Sequence, residues 1–172
     1  MRNEHPFAQY IKILGKGKKS TRSLTREEAR TAFAMILRSE AEPIHIGAFL
    51  MLLRVNEESA DELTGFLEAC RDYLAAPSDI EVDLDWSSCA GKRKHLPWFI
   101  LSALLLAENG IRVFMHGNDG HSSERIYTEN CFRALGLPIA QSWQQVSTAL
   151  DTHSLCFFPL RTWFPELQHL ID

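Results

Sequence analysis

A chain of 172 residues, 45% apolar and 23% charged, has the composition of a folded globular protein and the size of one ordinary domain or two small ones. Its four cysteines, at 70, 89, 131 and 156, are too scattered for a zinc knuckle or redox pair, there is no secretion signal, and runs such as AFLMLL and WFILSALLLA are too short to cross a bilayer, so reduced thiols and a cytoplasmic location are expected. The net charge of −4 is uneven: residues 1–30 carry eight Lys and Arg against three Glu, while residues 31–172 carry ten against nineteen, which leaves a basic segment suited to a polyanion or, equally, a solvated basic turn.

Phe7, Tyr10, Ile11 and Leu14 recur at the spacing of one helix face, and Gly15-Lys16-Gly17 ends that helix with residues suited to a left-handed terminus. Thr25 and Glu28 form a capping box, which opens a helix carrying Ala29, Ala32, Phe33 and Ile36 on one side up to about Arg38. Pro43 suits a first helical turn, and residues 46–55 are apolar nearly all round, which predicts a central helix. Ser59 and Glu62 form a second capping box, before a helix expected to bury Leu63, Phe66, Leu67, Cys70 and Leu74. Residues 1–76 therefore read as a helical bundle domain.

The pattern then changes. Pro77-Ser78-Asp79 is a short linker, and Ile80, Val82 and Leu84 alternate with charged residues as a half-buried strand does. Pro97 to Glu108 reads as a helix stopped by Asn109-Gly110, and residues 111–115 as a strand leading into a loop over 116–123. A helix from about Arg125 to Leu135, a short helix capped by Ser142, a strand over 154–158 and the start of another helix complete the chain. Strands alternating with helices predict a partial parallel-sheet α/β domain over 77–172. Ligands of such sheets gather at the carboxyl ends of strands, which places the 86–95 and 116–123 loops side by side at one mouth.

Both loops carry groups suited to phosphate. The glycine-containing loop after the second strand can offer backbone amides with Ser122 and Ser123, and the turn Ser87-Ser88-Cys89-Ala90-Gly91 is followed by Lys92, Arg93 and Lys94. Ordinary polar loops with idle lysines have the same composition, and neither segment matches a P-loop or a dinucleotide fingerprint. His116 and His121 have no companion Cys or carboxylate pattern, so no metal site is assigned. Asp83 and Asp85 share a strand face where magnesium can bind, although outward polar alternation explains them as well. Trp86, Trp98, Trp143 and Trp163 stand among apolar neighbours and are expected in the core or an interface, with Trp86 or Trp98 also placed to stack a base beside the lysines.

The capped helix pair LTREEARTAFAMILRSEAEPIHIGAFLMLLRV, the capped fourth helix, the linker, the strand leading to His116-Gly117-Asn118 with Ser122-Ser123, and the ALGLPI segment at 134–139 together resemble anthranilate phosphoribosyltransferase. The likeness runs over most of the chain and is nearer to a divergent "glycosyl transferase family" branch, whose studied members are dimeric nucleic-acid-binding proteins. It implies that this chain covers only the N-terminal half of such a protein. The family's Gly-Thr-Gly-Gly-Asp loop, which wraps the donor's diphosphate, falls on Ser87-Ser88-Cys89-Ala90-Gly91, where side chains would crowd a backbone meant for close approach. Its polar contacts on the next helix fall on Pro97, Phe99 and Ile100, the cation before its His-Gly-Asn falls on Met115, and its magnesium-binding acidic pair belongs to the half not present here. A charge-assisted hydrogen bond is worth about 1.5–3 kcal/mol. Losing several, with the metal, removes about 8 kcal/mol of transition-state stabilisation, on the order of a millionfold in rate.

The resemblance therefore implies a phosphoribosyltransferase-like protein with no catalytic residue assigned. Ser87, Ser88, Gly91, His116, Gly117, Asn118, Ser122 and Ser123 are remnants of the phosphate and substrate loops. The expected partner is single- or double-stranded nucleic acid held by Lys16, Lys18, Lys19, Arg22, Lys92, Arg93 and Lys94, in a homodimer formed through the helical domain, with no cofactor and no membrane. The alternatives are a phosphoribosyl or related glycosyl transferase acting on an aromatic amine or base, using magnesium and phosphoribosyl pyrophosphate, and a structural or regulatory subunit.

Overall fold

A computed structural model of the chain describes residues 4–17, 20–74, 76–89, 91, 93–118, 120, 122 and 124–171. It divides into two compact units, residues 1–75 and 76–172. The first contains α1 (Ala8–Leu14), α2 (Arg26–Leu37), α3 (Pro43–Asn56) and α4 (Ala60–Tyr73). Both predicted capping boxes form: the Thr25 hydroxyl accepts from the Glu28 amide while Glu28 reaches back to the Thr25 amide, and Ser59 and Glu62 do the same. Glu62 does more than cap. It is almost fully buried, and its Oε1 accepts the Leu24 amide at 2.8 Å, so one carboxylate ties the segment before α2 to the start of α4. Phe7 meets Tyr10 and Phe49 edge-on, which joins α1 to α3.

Packing between α2 and α4 is set by small residues. Ala29 and Ala32 face Gly65 and Ala69, all buried, and a Cβ on Gly65 would lie against the Arg26 carbonyl and 2.8 Å from the Arg30 amide nitrogen. Close backbone approach there turns the larger aliphatic residues aside, and this corrects two expectations. The buried face of α4 is Glu62, Gly65 and Ala69, with Phe66 and Cys70 half-buried, while Leu63 and Leu67 are 55% and 50% exposed. Nor is α3 central: it buries Phe49 and Leu53 but leaves Ile44, Met51 and Val55 more than 60% exposed. At the end of α1, Gly15 keeps φ at −104° and Gly17 takes the left-handed conformation, at +84°.

The second unit contains β1 (Leu84–Ser87), α5 (Phe99–Glu108), β2 (Val113–Gly117), α6 (Thr128–Ala134), α7 (Trp143–His153), β3 (Leu155–Pro159), α8 (Leu160–Trp163) and α9 (Pro165–Ile171). The strands form a parallel sheet in the order β1-β2-β3, with Leu84 opposite Val113 and Gly117 opposite Pro159. Alternate side chains of β2 and β3 enter two cores. Val113, Met115, Leu155 and Phe157 pack with Ile100, Ala103 and Phe132 on one face; Phe114, Cys156 and Phe158 pack with Val146 and Leu150 on the other.

Several boundaries move from their predicted places. The first strand begins at Leu84 instead of Ile80, because the Asp83 and Leu84 amides both turn onto the Arg112 carbonyl where pairing starts. Ser87 belongs to that strand, and His116 and Gly117 to β2, since pairing with β3 continues to Gly117. α6 begins at Thr128, after an extended Tyr127. Trp98 is 62% exposed, whereas Trp86 stacks on Phe99, and Trp143 and Trp163 pack about Phe114 and Phe158.

Gly65→Ala is expected to destabilise the helical unit by about 1–3 kcal/mol, because the obstructing atoms are backbone. Gly47→Ala, on α3 with open space around it, should be neutral or stabilising. The two urea-unfolding midpoints, read by circular dichroism, check this.

Candidate anion site at the strand ends

The site begins where β1 and β2 end. Ser87 pairs with His116, and the Ser88 amide donates to the His116 carbonyl at 2.7 Å, drawing the turn after β1 across the end of β2. Gly117 allows this: a Cβ there would overlap the Ser88 carbonyl group. His116 is held across the sheet by Asp85, with Nε2 2.9 Å from Oδ1, and its ring stacks on Phe114 and meets Trp163 edge-on. Its Nδ1 is buried and makes no hydrogen bond among the described residues; the same is true of Asn118 Oδ1, on a residue 2% exposed. Burial pushes the Cys89 thiol above its ordinary pKa, against a smaller opposing pull from the Asn118 N–H, although the residue as a whole is exposed.

Residues 125–128 close the mouth from the α6 side. The Ser88 and Thr128 hydroxyls are hydrogen-bonded to each other, and Arg125 Nη1 donates to the Gly91 carbonyl at 3.2 Å. Between them lies the Tyr127 ring, 5% exposed. A Cβ on Gly91 would stand 2.7 Å from Tyr127 Cε1, and one on Gly120 would overlap the outer part of the same ring. Glu129, also buried, fixes the start of α6 to α8 by a two-pronged bond to Arg161 at 2.7 and 2.8 Å, and it accepts from Arg133 as well. These cations, Arg161 foremost, hold its carboxyl below the usual range against burial, which acts the other way.

The residues singled out in the sequence divide as follows. Ser87, Ser88, Gly91, His116, Gly117 and Asn118 come together at the strand ends, and half-buried Ser122 accepts the Arg125 amide with its carbonyl. Ser123, His121, Lys18, Lys19 and Lys92 lie outside the described residues. Lys16 and Lys94 are exposed, and no ion pair forms on either among the described residues; Arg93 is exposed and pairs with Glu124 at 2.6 Å. Of the five described basic residues within 1–30, four are paired, Lys12 with Glu4, Arg22 with Glu28, Arg26 with Glu68 and Arg30 with Asp72. Arg22 holds the Glu28 carboxyl down at about 2. Pro97 and Ile100 are buried, Phe99 packs on Trp86, and Met115 is in the core. Asp83 accepts the Arg112 amide and Asp85 holds His116, so both carboxylates are engaged by the protein. No group of three His, Cys, Asp or Glu able to hold a metal occurs among the described residues.

Tyr127, Arg125 and Thr128 were not picked out as site residues, and Asp85 was weighed only with Asp83 as a magnesium ligand. Nothing local marks them, because their neighbours at the site come from other strands and loops. A pocket of about 300 Å³ bounded by Leu96, Trp98, Leu101 and Leu135 is wholly apolar and has no group to orient an anion. Gly117→Ala is expected to cost about 1–3 kcal/mol by forcing the Ser88 turn off β2, seen as a lowered Tm together with loss of amide protection at Ser88 in hydrogen exchange.

Comparison with known proteins finds sequences and a fold to which the chain is similar. Residues 8–74 match the "Glycosyl transferase family, helical bundle domain". The chain is 30% identical over 165 residues to the uncharacterized protein YbiB of Escherichia coli (strain K12), covering 94% of this chain and 51% of that protein. It is 34% identical over 152 residues to the anthranilate phosphoribosyltransferase of Methylobacterium nodulans, covering 86% and 44%. The chain thus spans about half the length of the curated relatives it matches. In fold it is similar to anthranilate phosphoribosyltransferase (TrpD) from Thermus thermophilus, with a TM-score of 0.73 at 22% identity over 96% of this chain and 48% of that one. No helix among the described residues is long and apolar enough to cross a membrane. With a helical bundle domain that matches this family, a shared fold and sequence likeness across both units, the chain is similar to the anthranilate phosphoribosyltransferase superfamily over about half of its members' length.

Proposed function

We propose that this chain is part of a phosphoribosyltransferase-like protein that holds nucleic acid by its phosphates and does not carry out ordinary phosphoribosyl transfer. The observation that carries the reading is the buried Tyr127 ring packed against Gly91 and Gly120, beside the turn on which the family's diphosphate loop falls by resemblance. The Ser88 hydroxyl, a candidate phosphate donor, is already bonded to Thr128. At the rim of the same unit Arg93 and Lys94 remain exposed. The Arg93–Glu124 pair is solvated on both sides, and such pairs are worth about 0–1 kcal/mol, so a phosphate replaces the carboxylate at little cost. Lys16 adds an exposed cation on the helical unit. Contacts of this kind position a backbone without reading bases, which predicts binding that is strongly salt-dependent and weakly sequence-specific. Exposed Ile44, Met51, Val55, Leu63 and Leu67 support self-association through the helical unit.

A second reading, phosphoribosyl or related glycosyl transfer, is favoured by the buried, unpartnered Oδ1 of Asn118 at the end of β2 and by the printed names of the relatives. It requires magnesium and phosphoribosyl pyrophosphate, and the turn on which the donor's loop falls by resemblance is packed against the Tyr127 ring at Gly91.

Fluorescence anisotropy with a labelled single-stranded oligonucleotide at two salt concentrations tests the first reading. Binding should weaken as salt rises, and K16A and K94A should each lower the salt slope by about 0.7. Absence of binding at low salt, or heat on titrating phosphoribosyl pyrophosphate with magnesium into the wild-type chain, would favour the second. Light scattering should give a dimer mass that falls to the monomer's in a M51E/L67E variant.

A further inference from the structure

Of the four tryptophans, Trp98 is the exposed one, while Trp86 stacks on Phe99 and Trp143 and Trp163 pack about Phe114 and Phe158. It stands at the start of α5 with a helical backbone. Its amide donates to the Leu96 carbonyl at 2.9 Å, and its carbonyl accepts from the Leu101 amide at 3.0 Å. The backbone that carries the indole is therefore held from both sides. Leu101 and Leu105, both exposed, follow at the spacing of one helix face. With Leu96, Leu101 and Leu135 the indole bounds the apolar pocket of about 300 Å³, over buried Pro97 and Ile100. A ligand of this pocket offers an apolar face and receives no hydrogen bond there. Charge lies close by. Lys94 is exposed with no ion pair among the described residues, and Arg93 pairs with Glu124 where both side chains are solvated. The four residues from Lys94 to Trp98 span at most about 14 Å, so cation and indole can serve one ligand.

We propose that Trp98 is a stacking platform for a base of single-stranded nucleic acid, whose adjoining phosphates are held by Lys94 and Arg93. The proposal rests on reading this chain as a nucleic-acid-binding protein, and it adds base faces to the phosphate contacts already assigned. Each unit of a strand joins a base with a π-face to a phosphate, which matches an apolar groove with cations at its rim. In a duplex those faces are covered by neighbouring pairs, whereas in a single strand they can splay out onto an aromatic ring. The pocket has no donor or acceptor for a base edge, so the edge stays in water and every base is accepted alike. Stacking on the indole releases no counterion, so its contribution adds affinity without steepening the dependence on salt.

The test is fluorescence anisotropy of the full chain with two labelled strands of equal length, one with natural bases and one built of abasic sites. Wild type should bind the natural strand about tenfold tighter than W98A does, with the same salt slope. W98F keeps an aromatic face and should stay within about threefold of wild type. On the abasic strand wild type and W98A should be equal. Tryptophan emission should fall when wild type binds the natural strand and stay level with the abasic one. Should circular dichroism show that W98A fails to fold, that emission decides. The stacking is overturned if a folded W98A binds the natural strand as wild type does, if it loses as much on the abasic strand, or if wild-type emission does not respond. An L101E/L105E variant whose mass falls in light scattering while its affinity for the natural strand holds would give the groove to a second copy of the chain, and this too overturns the stacking. Binding of the natural strand that W98A leaves unchanged overturns the stacking alone; no binding of either strand at low salt overturns the nucleic-acid reading with it.

Discussion

The contact on which the second unit depends is the passage of the Ser88 backbone across Gly117. One hydrogen bond, from the Ser88 amide to the His116 carbonyl, carries strand pairing one step past the end of β1. A Cβ at 117 would occupy the place of the Ser88 carbonyl, so the approach needs a residue without one. From it follow the position of the 88–91 turn, the meeting of Ser88 with Thr128, and the enclosure of the Tyr127 ring. Two buried polar atoms, His116 Nδ1 and Asn118 Oδ1, are left without hydrogen bonds among the described residues at the strand end itself. Such groups are costly to bury and cluster where a protein meets something else.

The helical unit shows the same logic with larger elements. Gly65 and Ala69 let α4 approach the backbone of α2, and the carboxylate of Glu62 fixes the approach at one end. Ion pairs from Arg26 to Glu68 and from Arg30 to Asp72 run along the same contact. A helix can bury only one stripe against one neighbour, so the stripe with Leu63 and Leu67 turns outward, as do Ile44, Met51 and Val55 of α3. Isolated exposed leucines are common, but a set of five on two helices of one small unit is surface suited to association.

Charge follows the packing. The basic N-terminal segment draws attention by its count, yet its arginines serve mainly to join helices through carboxylates more than forty residues away or to brace a capping box. Arg22, for example, fastens Glu28 and keeps its carboxyl ionised well below the usual range. Exposed pairs of this kind contribute little stability each, so they constrain orientation more than they hold the fold together.

Legible in the sequence were the features set by neighbours along the chain: both capping boxes, the glycine stops, the change from helical to alternating pattern near residue 77, the parallel α/β class and the His116-Gly117-Asn118 motif. Each depends on bonds or side-chain spacing within a few residues, where local geometry leaves few choices. Tertiary structure alone decided which stripe of α4 is buried, why α3 is half exposed, and what fills the gap between the two loops. Those outcomes turn on atoms far apart in the chain, such as Gly65 against Arg26 and Tyr127 against Gly91 and Gly120. A glycine in a sequence announces only freedom; the side chain that takes up the space it leaves is known once the chain has folded back on itself.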